Sequence, residues 1–352
     1  MTFVRPSIHG APRPRLRATR LPTVLLVAAV VAVVAALCLT SDPFAQAIEI
    51  ETLPVRGLVS MMSLGGVNVA VQVGPQGVLV VDTMAEPMAD TLLAAIRALA
   101  GTRPIRYVVN THADPDFTGG NAKIAGAGSQ LVAGNFAGQV GQRAVNGSVP
   151  QAFVVAHENV LTAMSTATGG RAAAPFGAWP TDTFFQREMT MYFNGEGIQL
   201  AHIPAASTDG DVLVFFRSSD VIAAGDIYST TGYPRIDLRR GGHVNGVIEG
   251  LNRLVDLAIS EQFTEGGTRI LPGRGRISDE FDVVEYRDMV TIVRDRVRSM
   301  MGRGLTIDQV VAARPTIDWE PRYGATTGAW TTAMFVEAVY RSLAPAAPGG
   351  RR

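Results

Sequence analysis

Cysteine is nearly absent: Cys38 is the only one in 352 residues, and it falls in an N-terminal segment that reads as a leader. A chain whose body has no thiol can form no disulfide and offer no thiolate to a metal, so any metal chemistry must rest on imidazole and carboxylate. Lysine is almost as scarce, Lys123 alone, and arginine carries the rest of the positive charge. Net charge is missing too, with 31 basic residues against 31 acidic ones, so the chain shows no electrostatic footprint for nucleic acid. Internal repeats and a long interdomain linker are also lacking. What is present is a globular composition, 47% hydrophobic and 18% charged, sufficient for one large core.

The N-terminal segment has its own pattern. The first 20 residues hold five Arg and no acid, an apolar run follows from Leu21 to Leu39, and then comes Ala45-Gln46-Ala47. Basic, apolar and small-x-small regions in that order describe a secretory signal peptide over residues 1–47, cut after Ala47. An uncleaved membrane anchor is the alternative, because the apolar run is long enough to span. Lipidation at Cys38 fits less well, since bulky Leu37 precedes it. The expected location is periplasmic or extracellular, with membrane contact only through an uncleaved leader. Without its five Arg and Asp42, the mature part has 26 basic and 30 acidic residues, a net charge near −4.

Residues 67–73 and 78–81 read as a hairpin about Gly74-Pro75-Gln76-Gly77, the second strand a continuous apolar run ending at Asp82. Helical spacing over 87–100 and a strand over 105–109 follow. Residues 166–181, rich in Gly, Ala and Pro, read as a loop over the site. A second hairpin joins 189–193 to 198–203 through Asn194-Gly195, a strong two-residue turn signal. Strands over 212–216 and 221–224 come next, then helices near 244–260, 279–301, 306–313 and 331–343. This interleaving suits two packed sheets with helices outside. Residues 344–352 read as a disordered tail.

Directly after the 105–109 strand stands Thr111-His112-Ala113-Asp114-Pro115-Asp116-Phe117-Thr118-Gly119-Gly120-Asn121. With Gly77 to Thr83, Ala206 to Asp211, Gly225-Asp226 and Leu271 to Gly275, all in order, it resembles the metallo-β-lactamase superfamily over nearly the whole of residues 48–343. The resemblance implies an α/β fold, a four-layer αββα sandwich. It also implies a hydrolytic site in which seven side chains hold two zinc ions. Carried over by position, the first ion would use His112, Asp114, Ser207 and the bridging Asp226. The second would use Asp116, Phe117, Arg274 and the same Asp226. The family has His where this chain has Asp114, Phe117, Ser207 and Arg274, so four ligands are replaced. Phe117 has no donor atom, and Arg274 keeps its proton in proteins. The second position is therefore read as empty. His112, Asp114 and Asp226 remain able to hold one divalent ion, zinc or iron, with waters completing its shell. The expected cofactor is none, with that single ion as the alternative.

Charge arithmetic adds a constraint. Asp114, Asp116 and Asp226 should converge on one small cavity, where three unpaired carboxylates would repel and take up protons. Arg274 is expected to pair with Asp116 or Asp226 in place of the lost metal, against the plainer alternative that it points to solvent. His157 and His243 are possible loop contributors to the site; His157 more readily orders a loop, and His202 a strand end. Asp82, Asp209 and Asp211 read as structural acceptors.

Three functions compete. The first is an exported, non-hydrolytic or strongly altered family member that binds a small molecule or a partner protein. The second is a hydrolase of ester, amide or lactam bonds with a remodelled mononuclear site, in which Asp116 acts as general base. The third is a metal-free enzyme that uses Asp116 with Arg274 as an oxyanion stabiliser.

Overall fold

The computed structural model describes residues 1–2, 49–130, 151–167 and 173–345. The chain divides after Ile48, and everything below concerns the second unit, Glu49–Arg352. The expected leader, part of the 166–181 loop and most of the expected tail lie outside the described residues. Among the described residues, no helix is long and apolar enough to cross a membrane.

Two sheets form the centre. The first has seven strands in sequence order: β1 (Glu51–Arg56), β2 (Val59–Leu64), β3 (Val67–Gly74), β4 (Gly77–Val81), β5 (Ile105–Val109), β6 (Phe153–His157) and β7 (Asp182–Phe184). Pairing is antiparallel from β1 to β4 and parallel from β4 to β7. The second sheet runs β12-β11-β10-β9-β8, from β8 (Glu188–Phe193), β9 (Glu196–Ile203), β10 (Asp211–Phe216), β11 (Val221–Ala223) and β12 (Arg269–Leu271). Only β11 and β12 are parallel there. The helices are α1 (Ala89–Ala100), α2 (Pro115–Thr118), α3 (Asn121–Gly126), α4 (Glu158–Ser165), α5 (Val244–Leu257), α6 (Glu280–Gly302), α7 (Ile307–Ala312), α8 (Glu320–Tyr323) and α9 (Thr332–Leu343).

The alternation of side chains along each strand sorts the core into layers. On β4, Leu79 and Val81 face the second sheet and pack with Ile198, Leu200, Val212 and Val214. Val78 and Val80 face the other way, onto Leu92 and Ile96 of α1 and Ile124 of α3. Across the molecule, Leu213 and Ile222 meet α5 through Val247 and Leu251 and α6 through Val290 and Val293. Helix, sheet, sheet, helix is the order that results, which is the four-layer α/β sandwich expected from the sequence. Burial on both faces is why β4 reads as an unbroken apolar run instead of an alternating one.

The Asn194-Gly195 hairpin forms as its sequence requires, with φ of 53° and 83° at the two turn residues and Phe193 facing Glu196. It also pins the sheets together. Glu196 is buried and accepts hydrogen bonds from Gln72 Nε2 at 2.6 Å, Ser219 Oγ at 2.8 Å and the Ser218 and Ser219 amides. Its charge is thus satisfied entirely by donors, as burial demands.

Candidate functional site

The site lies where the loops after β4, β5 and β11 meet the segment after β12. Its base is a fixed turn. Asp82 follows β4 with φ of 65°, and Met84 has 60°; such left-handed conformations cost about 1–3 kcal/mol and persist only where surrounding contacts hold them. The contacts here are plain. Asp82 Oδ1 accepts the Thr111 amide at 2.9 Å, and Oδ2 accepts the Thr111 hydroxyl at 2.7 Å. Asp82 is thus the backbone acceptor that its position suggested. Burial, the largest cause, raises its carboxyl to about 7, and nearby Asp226 adds to the rise.

Two glycines bring the loops together. Gly225 has φ of 53°, and a Cβ there would lie 2.5 Å from Thr111 Oγ1. A Cβ on Gly273 would lie 2.6 Å from the Gly225 carbonyl oxygen. The Gly273 amide donates to that same oxygen at 2.8 Å. The loops that carry Asp226 and Arg274 therefore touch backbone to backbone.

His112 is 1% exposed. Its Nδ1 is 2.9 Å from Thr111 Oγ1. That hydroxyl gives its one proton to Asp82 Oδ2, so the imidazole Nδ1–H donates to it and Nε2 carries the lone pair. Burial holds the ring's pKa below its usual value, against the pull of Asp226 and Asp114, so the imidazole is neutral. Nε2 is buried without a hydrogen-bond partner. With carboxylate oxygens of Asp114 and Asp226 it forms a set whose atoms lie within 4.8 Å of one another. An orphaned imidazole lone pair facing two carboxylates fits one divalent ion.

The second position of the resemblance does not fit an ion. Phe117 is fully buried, with its ring 4.5 Å from that of His112. The Arg274 guanidinium lies 5.1 Å from the Phe117 ring centre, in cation–π range. It donates from Nη2 to Asp116 Oδ2 at 2.9 Å and from Nε to Asp226 Oδ1 at 3.3 Å. Burial works against the charge of Arg274, but Asp226 and Asp116 outweigh it and raise the guanidinium pKa. The Asp226 oxygens thus face two ways, Oδ1 to Arg274 and Oδ2 to His112 Nε2 at 3.9 Å.

Sequence reasoning missed two members of this cluster. Arg235 Nη1 stands 3.6 Å from both Asp114 Oδ2 and Asp116 Oδ2. Arg240 Nη2 stands 3.7 Å from Asp114 Oδ1, while its Nε bonds Asp237 Oδ2 at 2.8 Å. The three carboxylates of the site therefore face three guanidiniums. Three converging aspartates against one Arg274 signalled a charge deficit, but nothing in the sequence pointed to Arg235 and Arg240 as the groups that fill it.

The remaining expected residues take other places. The Ser207 hydroxyl donates to the Asp226 backbone oxygen at 3.1 Å. His157, expected to order a loop, and His243, expected as a possible contributor, both cap helices: each Nδ1 accepts the amide two residues on, starting α4 and α5 respectively. Neither belongs to the three-residue group. His157 stacks on His202 with centroids 3.6 Å apart, and His202 Nε2 meets the Asp209 carbonyl at 2.8 Å. Asp211 accepts from the Thr208 amide at 2.5 Å and is raised by burial to about 8. The described part of the 166–181 loop, with α4 and α2, walls a cavity of about 540 Å³ beside Ala113, apolar on the loop side and bounded elsewhere by Glu86, Asp237, Arg239 and Arg240.

Two sheets between helical layers, with a histidine–carboxylate cluster at the loop end, define the class of an αββα metallohydrolase scaffold. The chain belongs to the metallo-beta-lactamase superfamily, whose family model matches residues 62–266. No curated protein matches it. Among solved structures, it resembles the stereoselective inverting sec-alkylsulfatase Pisa1 from Pseudomonas sp., at 15% identity and a TM-score of 0.56 over 84% of this chain and 50% of that one. A metallo-beta-lactamase from Pontibacter korlensis matches at 15% identity and TM-score 0.47, over 69% of this chain and 99% of the other. The chain spans about half the length of the sulfatase, and likeness at such identity is one of fold.

Proposed function

We propose that this protein is an exported metallo-β-lactamase-fold protein that has given up the dinuclear hydrolytic site and uses its pocket to bind a small molecule or a partner. The observation that carries the reading is Arg274, whose guanidinium bonds Asp116 and Asp226, the two carboxylates that the resemblance assigns to the second zinc. A second cation has no place there while that guanidinium is present. Arg235 and Arg240 beside Asp114 complete the charge balance, which lowers the demand for any ion.

A second reading is a hydrolase with one divalent ion, favoured by the bare Nε2 of His112 facing Asp114 and Asp226. An ion held by those residues would supply Lewis acidity. Asp116 would be its general base, although its Oδ2 already accepts from Arg274 Nη2 at 2.9 Å. Elemental analysis of the purified full chain tests both, together with a panel of ester, lactam and phosphodiester substrates. The first reading expects no more than trace metal and no turnover. One ion per chain, lost together with activity in His112→Ala, would establish the second reading. Two zinc ions per chain would overturn both.

A further inference from the structure

The loop that carries Asp114 also borders the cavity of about 540 Å³. Ala113 and Pro115, its neighbours in the chain, line that space, as does Arg240, whose Nη2 reaches Asp114 Oδ1 at 3.7 Å. The cavity therefore adjoins the histidine–carboxylate cluster. Its apolar walls come from separate segments: Ala122 of α3, Ala163 and Met164 of α4, and Ala174, Pro175 and Ala178 before β7. Hydrogen bonds tie these segments into one frame. The Ala174 amide donates to the Met164 carbonyl at 2.8 Å, and Asn121 Nδ2 donates to the Ala178 carbonyl at 2.9 Å. On the other side, Asn159 Nδ2 of α4 donates to the Asp209 carbonyl at 2.9 Å. The Asp209 amide in turn donates to the Arg240 carbonyl at 2.8 Å. The walls are thus anchored to one another before any ligand arrives.

The lining has no net charge to offer. Its acids are Glu86 and Asp237 and its cations Arg239 and Arg240, two against two. Asp237 accepts from Arg240 Nε at 2.8 Å and faces Arg239 Nε at 3.8 Å, while Arg239 and Glu86 are exposed to water. The Thr118 hydroxyl, also in the lining, donates to the Asp114 carbonyl at 3.1 Å. What the frame leaves facing the space is therefore short apolar side chains. A cavity water needs about two to four polar partners, which such walls do not supply. Replacing poorly held water with an apolar group is favourable. The volume lies within the range of about 300–1,000 Å³ typical of small-molecule pockets.

We propose that this cavity binds an uncharged, largely apolar small molecule, held against α3, α4 and the 173–178 loop beside Asp114. The inference rests on the small-molecule form of the preceding reading and adds the place and the class of ligand. The test is fluorescence titration of the full chain with N-phenylnaphthylamine, an uncharged probe that brightens in apolar surroundings. Anilinonaphthalene sulfonate, a similar ring system with a negative charge, is titrated beside it. Saturable one-to-one binding of the uncharged probe is expected, with the sulfonate weaker by about tenfold or more. Ala122→Leu and Ala163→Leu place branched side chains in the space from two different helices. Each should raise Kd about tenfold. Ala122 is exposed on α3 and leucine suits a helix, so this variant keeps the idea testable if the other misfolds. No saturable binding, tighter binding of the sulfonate, or an unchanged Kd in a folded variant would overturn it. Binding lost as the chain dimerises at higher concentration would give the face to a second copy and overturn it too. Metal content is scored separately on the same samples. Two zinc ions with an intact titration would defeat the preceding reading alone; trace metal with no probe bound would defeat this one alone.

Discussion

Arg274→Gln keeps a side chain that can hydrogen-bond and removes its charge. The two carboxylates it leaves behind differ in their access to water. Asp226 has 4% of its side chain exposed and cannot recruit solvent, whereas Asp116 has 46% exposed and can. Breaking a buried pair from one side costs about 3–5 kcal/mol. Arg274 is itself 17% exposed and its Nε bond to Asp226 is long at 3.3 Å, so about 2–4 kcal/mol is the expected loss. For a chain of this size that lowers Tm by about 3–6 °C. Asp116→Asn should cost no more than about 1 kcal/mol, because its side of the pair is half in water. Differential scanning calorimetry and urea titration at neutral pH measure both variants. A double-mutant cycle with Asp226→Asn should give a coupling of about 2 kcal/mol between positions 274 and 226. If Arg274→Gln melts within about 1 °C of the parent chain, the guanidinium is not neutralising a buried charge and the reasoning fails.

Stability should also depend on pH through Asp82 and Asp211, which burial raises to about 7 and about 8. Both exceed their unfolded values, so their contribution is full below about pH 4 and is lost as pH rises through the folded values. Urea midpoints measured from pH 5 to 9 should therefore fall, and Asp211→Asn should flatten the decline; an unflattened curve in that variant would refute the assignment. Phe117→Ala removes a fully buried ring that packs on His112 and supports Arg274, and should cost about 3–5 kcal/mol. A loss under about 1 kcal/mol would show that the ring is not part of the packed core.

How much of this was legible in the sequence depends on the range of the interaction. Asn194-Gly195 declares its turn locally, because the conformation needs residues that tolerate positive φ. The β4 run and the 111–121 loop placed the fold, and Asp82 could be assigned as an acceptor from its position after a buried strand. Arg235 and Arg240 escaped because their role depends on where a loop after β11 folds, which no spacing rule reports. The capping roles of His157 and His243 were not foreseen for another reason: side-chain caps are usually Ser, Thr, Asp or Asn, so a histidine does not declare one. The ion pair at Arg274 was accessible from charge balance once the family resemblance had brought the aspartates together, and its sharing between Asp116 and Asp226 needed the folded structure.

The glycine seam between positions 225 and 273 has a consequence for how such a site can change over time. Because main chain rests on main chain there, the separation between Asp226 and residue 274 is fixed by the scaffold and not by what lies between the side chains. The occupant of that gap is thereby decoupled from the architecture around it. An ion and a guanidinium become exchangeable cargo in one rigid berth, and an active centre can be rewritten by a few side-chain replacements while the fold that presents it stays unaltered.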